Sequence, residues 1–195
     1  MEKTILNYSI RIPKRLKAEI HRFQNNLEKW VAVVGMKDGK PYELFTGANI
    51  NGLSKLPPNI KDCEVVKNII EGIDVDGKPT RIKRYDIEYI DSDGIKQIHT
   101  GLNHAFNPEY WNYAKLISGI LRHGMPLIKV YELIDSLTFR EENINTWKNG
   151  VTRTIKRYIK DGEKAKGICQ NCGSEHLEFK EGCMVCMNCG SSKCS

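Results

Sequence analysis

The sequence lacks the features that mark membrane proteins, secreted proteins and self-contained enzymes. No apolar run reaches the roughly 20 residues that a membrane-spanning helix needs. The N-terminal residues, Met1 to Asn7, lack the apolar core of a signal peptide. No nucleophile–base set, paired acidic motif or dinucleotide fingerprint is present. We therefore expect a cytoplasmic protein with no membrane partner and no complete active site of its own.

Cysteine is nearly absent from most of the chain and is concentrated at its end. Of the seven cysteines in 195 residues, Cys63 stands alone, and the other six lie between Cys169 and Cys194. In a reducing cytoplasm, clustered cysteines indicate metal binding or redox catalysis rather than structural disulfides. The isolated Cys63 lies in an apolar segment and is predicted to be a small buried hydrophobic residue.

Residues 11–100 carry the pattern of an antiparallel sheet. Trp30 to Val34 is a run typical of a buried strand, and Lys37 to Lys40 supplies a hairpin turn after it. Cys63 to Ile73 and Arg81 to Ile90 are predicted strands, the second with three apolar residues on one face. Leu53 to Lys61 is a predicted loop.

Residues 107–162 change to a helical period. Asn107 followed by Pro108 is a favourable helix start, with an N-cap and proline at the first position. A second helix is predicted from Pro126, with Leu137 among its inward residues, and a third runs from Ile144 to a stop at Asp161–Gly162. We predict an α+β fold, an antiparallel β-sheet plus about three helices, followed by a C-terminal zinc ribbon. The expected domains are 1–162 and 163–195, joined by a polar linker over 162–167.

Two zinc knuckles give the strongest motif in the chain. Cys169-x2-Cys172 and Cys186-x2-Cys189 are each followed by glycine, which lets backbone amides turn toward the sulfurs. The 13 residues between the knuckles suit a β-hairpin with a strand near Leu177 to Phe179. A structural zinc bound by these four thiolates is predicted.

Six cysteines exceed the four ligands of one zinc by two. In the preferred set Cys183 and Cys194 are spare, and a competing set replaces Cys189 with Cys183 and leaves Cys189 and Cys194 free. His176 lies between the knuckles as a further possible ligand. A thiol near a chain end can visit another site, which suits a dithiol shuttle. The alternative is that the spare thiols are incidental.

The net charge of +6 is modest and locally clustered. One basic cluster lies near the N-terminus and another on the third helix; the residues are Arg11, Lys14, Arg15, Lys17 and Arg22, then Lys148, Arg153, Lys156, Arg157 and Lys160. Either cluster could contact phosphate or an acidic surface. A solvated face is the favoured interpretation of both.

Several long segments resemble one family. The chain is similar to the region after the catalytic barrel of adenosylcobalamin-dependent (class II) ribonucleotide reductases. The similar segments are Glu28 to Gly35, Gly39 to Gly47, Glu109 to Gly119, Leu121 to Pro126, Ile144 to Val151 and Glu181 to Cys194. The likeness runs from about Arg11 to the end of the chain.

The resemblance implies a redox function for the cysteine tail. Such reductases make deoxyribonucleotides by radical chemistry in a barrel, and each turnover oxidises a cysteine pair there. A cysteine-bearing tail reduces that pair again and is itself reduced by a thioredoxin-type or glutaredoxin-type donor. By this resemblance the tail here supplies four zinc thiolates and a redox pair, Cys183 and Cys194, with Cys189 and Cys194 as the alternative pair.

The same resemblance limits what the chain does. The barrel, its radical cysteine, the cobalamin site and the nucleotide sites are not in this sequence, so adenosylcobalamin is expected only on a partner catalytic chain. We expect an accessory component of a split ribonucleotide reductase. The rival interpretation is a zinc-ribbon module that binds nucleic acid or regulates the reductase, although a nucleic-acid partner is not favoured.

Overall fold

The structure is a computed structural model that describes residues 12–25, 28–48 and 56–194. The predictions for Arg11, for the first part of the 53–61 loop and for the Ile144 side chain lie outside that description. The strands and helices, in chain order, are β1 (Arg15–Asn25), β2 (Glu28–Lys37), β3 (Lys40–Ala48), β4 (Asp62–Ile73), β5 (Pro79–Ile90), β6 (Lys96–His99), α1 (Leu102–Ala105), α2 (Pro108–Arg122), α3 (Leu127–Ser136), α4 (Glu142–Lys156), β7 (Lys164–Ala165), β8 (Leu177–Lys180), β9 (Cys183–Cys186) and β10 (Ser192–Lys193).

The first six strands form one antiparallel sheet in the order β3-β2-β1-β4-β5-β6. Two meanders, β1 to β3 and β4 to β6, meet where β1 pairs with β4, for example at Ala18 opposite Cys63. Asp38 and Gly39, with φ of 52° and 73°, make the turn between β2 and β3. Positive φ at both positions gives the two-residue turn that matches the twist of paired strands. The predicted antiparallel sheet and α+β class are confirmed.

Strand alternation sends apolar side chains to both faces of the sheet. On β2, Trp30 and Val34 pack in a core with α2, α3 and α4, whereas Val31 and Val33 belong to a core on the opposite face. The second core also contains the stripe predicted on β5, which comprises Tyr85, Ile87 and Tyr89. The sheet is therefore the central layer between two cores.

Helix α2 covers the edge strand β3. Its predicted start is confirmed, since the Asn107 side chain accepts a hydrogen bond from the Glu109 amide at 2.9 Å. Further along α2, the hydroxyl of Ser118 accepts from the Leu44 N–H at 2.8 Å and donates to the Leu44 carbonyl at 3.1 Å. Ser118 thus occupies the backbone groups that a further strand would use, which blocks edge pairing.

Some helix details differ from the predictions. Leu137 was expected to face inward, but it follows the end of α3 in an extended conformation and is 38% exposed. Helix α4 ends at Lys156 rather than at Asp161–Gly162, and the next residues continue as a hydrogen-bonded turn that still buries Ile159. A short helix, α1, was not predicted.

The predicted 162–167 linker contains strand β7. Lys164 and Ala165 pair with β8, so this stretch belongs to the second sheet. Its polarity on the exposed side hid the strand from sequence reasoning. Within the ranges that the structure describes, no helix is both long and apolar enough to cross a bilayer.

Candidate metal centre and disulfide

The last four strands form a small antiparallel sheet in the order β10-β9-β8-β7, which we call the ribbon. β8 and β9 are the predicted hairpin between the knuckles, turned by Glu181 and Gly182 with φ of 50° and 75°. The second knuckle begins at Cys186, the last residue of β9. The first knuckle precedes β8, so the two knuckles meet at one end of the ribbon.

The two knuckles share one backbone pattern. In the first, the Cys169 N–H donates to the Ser174 carbonyl, and the Gly173 N–H donates to the Cys169 carbonyl, both at 2.8 Å. Gly173 has φ of 74°, a conformation that side chains rarely adopt. The second knuckle, which begins at Cys186, repeats both bonds at 2.8 and 2.9 Å. Each loop is therefore closed tightly enough to turn both of its sulfurs to the same side.

The four knuckle sulfurs form a cluster that could hold a metal ion. The Sγ atoms of Cys169, Cys172, Cys186 and Cys189 all lie within 4.8 Å of one another. Cys169 and Cys189 are 3.6 Å apart, and Cys172 and Cys186 are 3.5 Å apart. Sulfurs at about 2.3 Å from a tetrahedral zinc are separated by about 3.8 Å. The cluster therefore matches the size of a zinc site with four cysteine ligands.

Hydrogen bonds stabilise negative charge on two of these sulfurs. The Ser191 hydroxyl lies 3.1 Å from the Cys169 sulfur and 3.2 Å from the Cys189 sulfur. The single hydroxyl proton of Ser191 can be donated to only one of these sulfurs at a time. Hydrogen bonds from Ser191 and the Asn171 amide lower the pKa of Cys189 to about 5, and hydrogen bonds from Ser191 and from the backbone of Cys172 and Asn171 lower the pKa of Cys169. Hydrogen bonds to the charged form have this effect. Sequence analysis missed Ser191 and Asn171; the only signal was a hydroxyl two residues after a knuckle cysteine.

Cys172 is shifted in the opposite direction. A backbone hydrogen bond from Ser174 lowers the pKa of Cys172. Hydrogen bonds shared with Cys189 and Cys186 together have a larger, opposite effect, and the pKa is raised to about 12. These hydrogen bonds between sulfurs therefore favour the protonated form of Cys172. A bound divalent cation would displace that proton, because a coordinating thiol is deprotonated.

The two remaining tail cysteines lie outside this cluster and are joined as a disulfide. Cys183 begins β9, and Cys194 follows β10, directly opposite Cys183 in the register that pairs Lys193 with Met184. Their Cα atoms are 4.4 Å apart, as expected for directly opposed residues on antiparallel strands. Cys194 is exposed and Cys183 partly exposed.

The geometry thus separates the tail cysteines as four plus two. Neither the alternative ligand set with Cys183 nor the alternative pair of Cys189 and Cys194 is present in this structure. His176 is exposed and is not among the grouped ligands. The isolated Cys63 is 8% exposed, and burial raises its pKa to about 12, which confirms it as a buried, unreactive thiol.

The ribbon packs on the helices rather than standing apart from them. Phe179 of β8 is fully buried, and its ring meets the Tyr131 ring edge-on with centroids 5.4 Å apart. The Phe179 N–H donates to the Glu163 carbonyl at 2.9 Å, and the Glu181 N–H donates to the Asp161 carboxylate at 2.8 Å. These contacts hold the metal cluster and the disulfide in a defined position on the helical layer.

The basic cluster predicted on the third helix is only partly a solvated face. Lys148 reaches across to the Leu137 carbonyl at 3.0 Å, and Arg153 and Arg157 are exposed. Lys156 is 3% exposed, so its assignment to a solvated face was wrong. Its ammonium lies over the Tyr131 ring of α3, 5.2 Å from the ring centroid, and the helix sequence does not reveal that contact.

Two exposed arginines of the N-terminal basic cluster make contacts within the fold. Arg15 forms ion pairs with Glu64, at 2.6 Å, and with Glu88. Arg22 donates to the backbone carbonyl of Ile60 at 2.7 Å. These two arginines therefore hold β1 to β4, β5 and the segment before β4.

The fold and site define an α+β domain that carries a four-cysteine ribbon beside a surface disulfide. Residues 16–160 match the family described as the NrdJ homologue C-terminal domain, and the match covers well over half of the chain. The chain belongs to that family, which confirms the resemblance and links it to adenosylcobalamin-dependent ribonucleotide reductase. The matched region ends before Cys169 and so contains none of the six tail cysteines. Comparisons with curated proteins and with solved structures gave no match.

Proposed function

We propose that this chain passes reducing equivalents to the active-site disulfide of a ribonucleotide reductase catalytic chain during deoxyribonucleotide synthesis in the cytoplasm. Cys183 and Cys194 are the redox pair, and a thioredoxin-type or glutaredoxin-type protein is the electron donor. Zinc, held by Cys169, Cys172, Cys186 and Cys189, keeps the ribbon folded. Adenosylcobalamin belongs to the catalytic chain. In this assignment residues 1–162 are the docking domain, and residues 163–195 are the ribbon domain.

The observation that carries the proposal is the disulfide at the exposed end of the ribbon. Both sulfurs are outside the metal cluster, so they can change oxidation state without removing a zinc ligand. Cys194 is exposed, which gives another protein access to it. Family membership supports the link to a reductase.

Two thiol–disulfide exchanges complete the proposed cycle. A donor thiolate attacks the Cys194 sulfur, and Cys183 leaves as a thiolate that takes up a proton. The second donor thiolate then attacks the donor sulfur of the mixed disulfide and releases Cys194. The donor has lost two electrons and two protons, and this chain has gained them.

The second exchange runs in the same way toward the catalytic chain. The Cys194 thiolate attacks one sulfur of the active-site disulfide, and the other active-site sulfur leaves as a thiolate. Cys183 then attacks Cys194, which restores the Cys183–Cys194 disulfide and frees the second active-site thiol. Cys194 is assigned the attacking role because it is the more exposed of the two.

Reconstituted turnover tests this proposal. The chain is mixed with the catalytic chain, adenosylcobalamin, thioredoxin, thioredoxin reductase and NADPH, and deoxyribonucleotide is measured. Cys183→Ser with Cys194→Ser should abolish thioredoxin-driven turnover. Turnover with dithiothreitol should persist, because a small dithiol reaches the active site directly. Full thioredoxin-driven turnover with the double variant would contradict the proposal.

A further inference from the structure

A basic cleft lies beside the edge strand β10. It has a volume of about 410 Å³ and is lined by Asp135, Asn149, Thr152, Arg153, Lys156 and Lys193. Three of these residues are cations and one is a carboxylate. The cleft joins α4 to the strand that leads into Cys194, so it brings the ribbon and the helical layer together at the proposed redox pair.

Neighbouring positions in the ribbon connect the cleft to the disulfide. Lys193 immediately precedes Cys194 and lies opposite Met184, which immediately follows Cys183. The Tyr131 hydroxyl is 3.9 Å from the Met184 sulfur. Side chains alternate along a strand, so the Lys193 side chain and the disulfide lie on opposite sides of β10. A protein that approaches the β10 edge therefore meets both.

The cleft holds positive charge in a partly desolvated setting. The Lys156 ammonium is 5.2 Å from the centroid of the Tyr131 ring, and the residue is 3% exposed. Burial lowers the pKa of Lys156 below its usual value, and the Asp135 carboxylate offsets only part of that shift. Arg153 and Lys193 are exposed at the rim. With three cations and one carboxylate in its lining, the cleft has a net positive charge, which attracts an acidic partner.

We infer that this cleft, defined by Arg153, Lys156 and Lys193, is the docking point for an acidic side chain of the thioredoxin-type donor. The inference rests on the proposed function. A donor that must leave after every exchange needs a small contact, and such redox encounters have small interfaces. Charge complementarity then raises the encounter rate and orients the donor dithiol toward Cys194.

Charge reversal tests the inference on the full-length, zinc-loaded chain. Arg153→Glu and Lys193→Glu alter exposed rim residues, and Lys83→Glu, at an exposed position on β5, is the matched control. The measured quantity is the second-order rate constant for reduction of the Cys183–Cys194 disulfide by reduced thioredoxin. Together the two rim variants should lower it by about tenfold or more at low salt, and the wild-type rate should fall as salt rises. Lys83→Glu should change it by less than about twofold.

Reduction by dithiothreitol separates docking from an effect on the disulfide itself. The rim variants should stay within about threefold of wild type with this small dithiol, since it makes no docking contact. An equal loss with thioredoxin and dithiothreitol would overturn the inference, and so would unchanged thioredoxin rates. Rim variants that lose binding of a short single-stranded oligonucleotide but keep their thioredoxin rates would assign the cleft to nucleic acid instead. Failure of thioredoxin to reduce wild-type chain would contradict the proposed function itself.

Discussion

Phe179 should be the main anchor of the ribbon on the helical layer. Its side chain is fully buried and packs edge-to-face on Tyr131. Truncation of a buried phenylalanine to alanine costs about 3–5 kcal/mol, from lost transfer energy and the cavity left behind. The four knuckle cysteines are held by their own loop hydrogen bonds at the end of the hairpin opposite its turn. Phe179→Ala should therefore loosen the docking of the ribbon while the cysteine cluster stays intact.

Hydrogen exchange of zinc-loaded protein measures this effect. If the ribbon opens as a unit, a loss of about 3 kcal/mol accelerates exchange of the β8 and β9 amides by about 100-fold or more. Amides of α2 should change much less. Leu133→Ala is the matched control, since Leu133 is an apolar residue on α3 that is 43% exposed. Equal acceleration in α2 and the ribbon, or less than about tenfold in the ribbon, would refute the anchoring role.

Three further predictions concern the edge strand, the sheet and the metal. Ser118→Ala should lower the free energy of unfolding, measured by urea denaturation, by about 2 kcal/mol or more. The reason is that the N–H and the carbonyl of Leu44 both lose a buried hydrogen-bond partner. Burial opposes the charge of Asp86, but hydrogen bonds from Arg84 and two further donors lower its pKa below the ordinary 3.8. The stabilisation by the Asp86 charge is therefore present above pH 3.8 and is lost as pH falls through the lower pKa of the folded state. Asp86→Asn should lower the free energy of unfolding by about 1.5–3 kcal/mol at pH 7, and by progressively less below pH 3.8. Metal analysis should find one zinc per chain, and Cys186→Ser should release it and expose the ribbon to proteolysis.

Each of these has a control on the same chain. Ser136→Ala, at the exposed end of α3, should change the free energy of unfolding by less than about 0.5 kcal/mol. Asp93→Asn, in the exposed turn before β6, should change the free energy of unfolding at pH 7 by less than about 0.5 kcal/mol. Cys194→Ser should keep the full zinc content. An unchanged free energy of unfolding in Ser118→Ala would contradict the role of Ser118. A stability loss in Asp86→Asn that does not vary with pH would contradict the role of the Asp86 charge. Full zinc content in Cys186→Ser would contradict the ligand assignment.

Local chemistry explains which parts of the fold could be predicted. The turn at Asp38–Gly39 and the start of α2 at Asn107 depend on residues next to each other in the chain, and both were found where expected. The knuckles are also local, because a two-residue gap and a glycine determine where each pair of sulfurs points. Hence the sequence could group four cysteines before any tertiary structure was known.

Long-range contacts explain what could not be predicted. The pairing of β1 with β4 and the burial of Lys156 depend on which elements come together, and helix or strand patterns do not encode that choice. The same holds for Ser118, whose hydroxyl is hydrogen-bonded to Leu44 on β3, far away in the chain. The resemblance suggested Cys183 and Cys194 as a pair but left Cys189 and Cys194 as an alternative, and the register of β9 and β10 brings the first pair together.

Trapping of a mixed disulfide tests the central claim most directly. A Cys183→Ser chain keeps Cys194 but lacks the thiol that resolves the exchange. Mixed with the oxidised catalytic chain and analysed by mass spectrometry, it should form a covalent complex through Cys194 and an active-site cysteine of that chain. The Cys194→Ser chain should form far less. No complex with Cys183→Ser, or a complex linked through Cys189, would contradict the assignment of Cys183 and Cys194 as the redox pair.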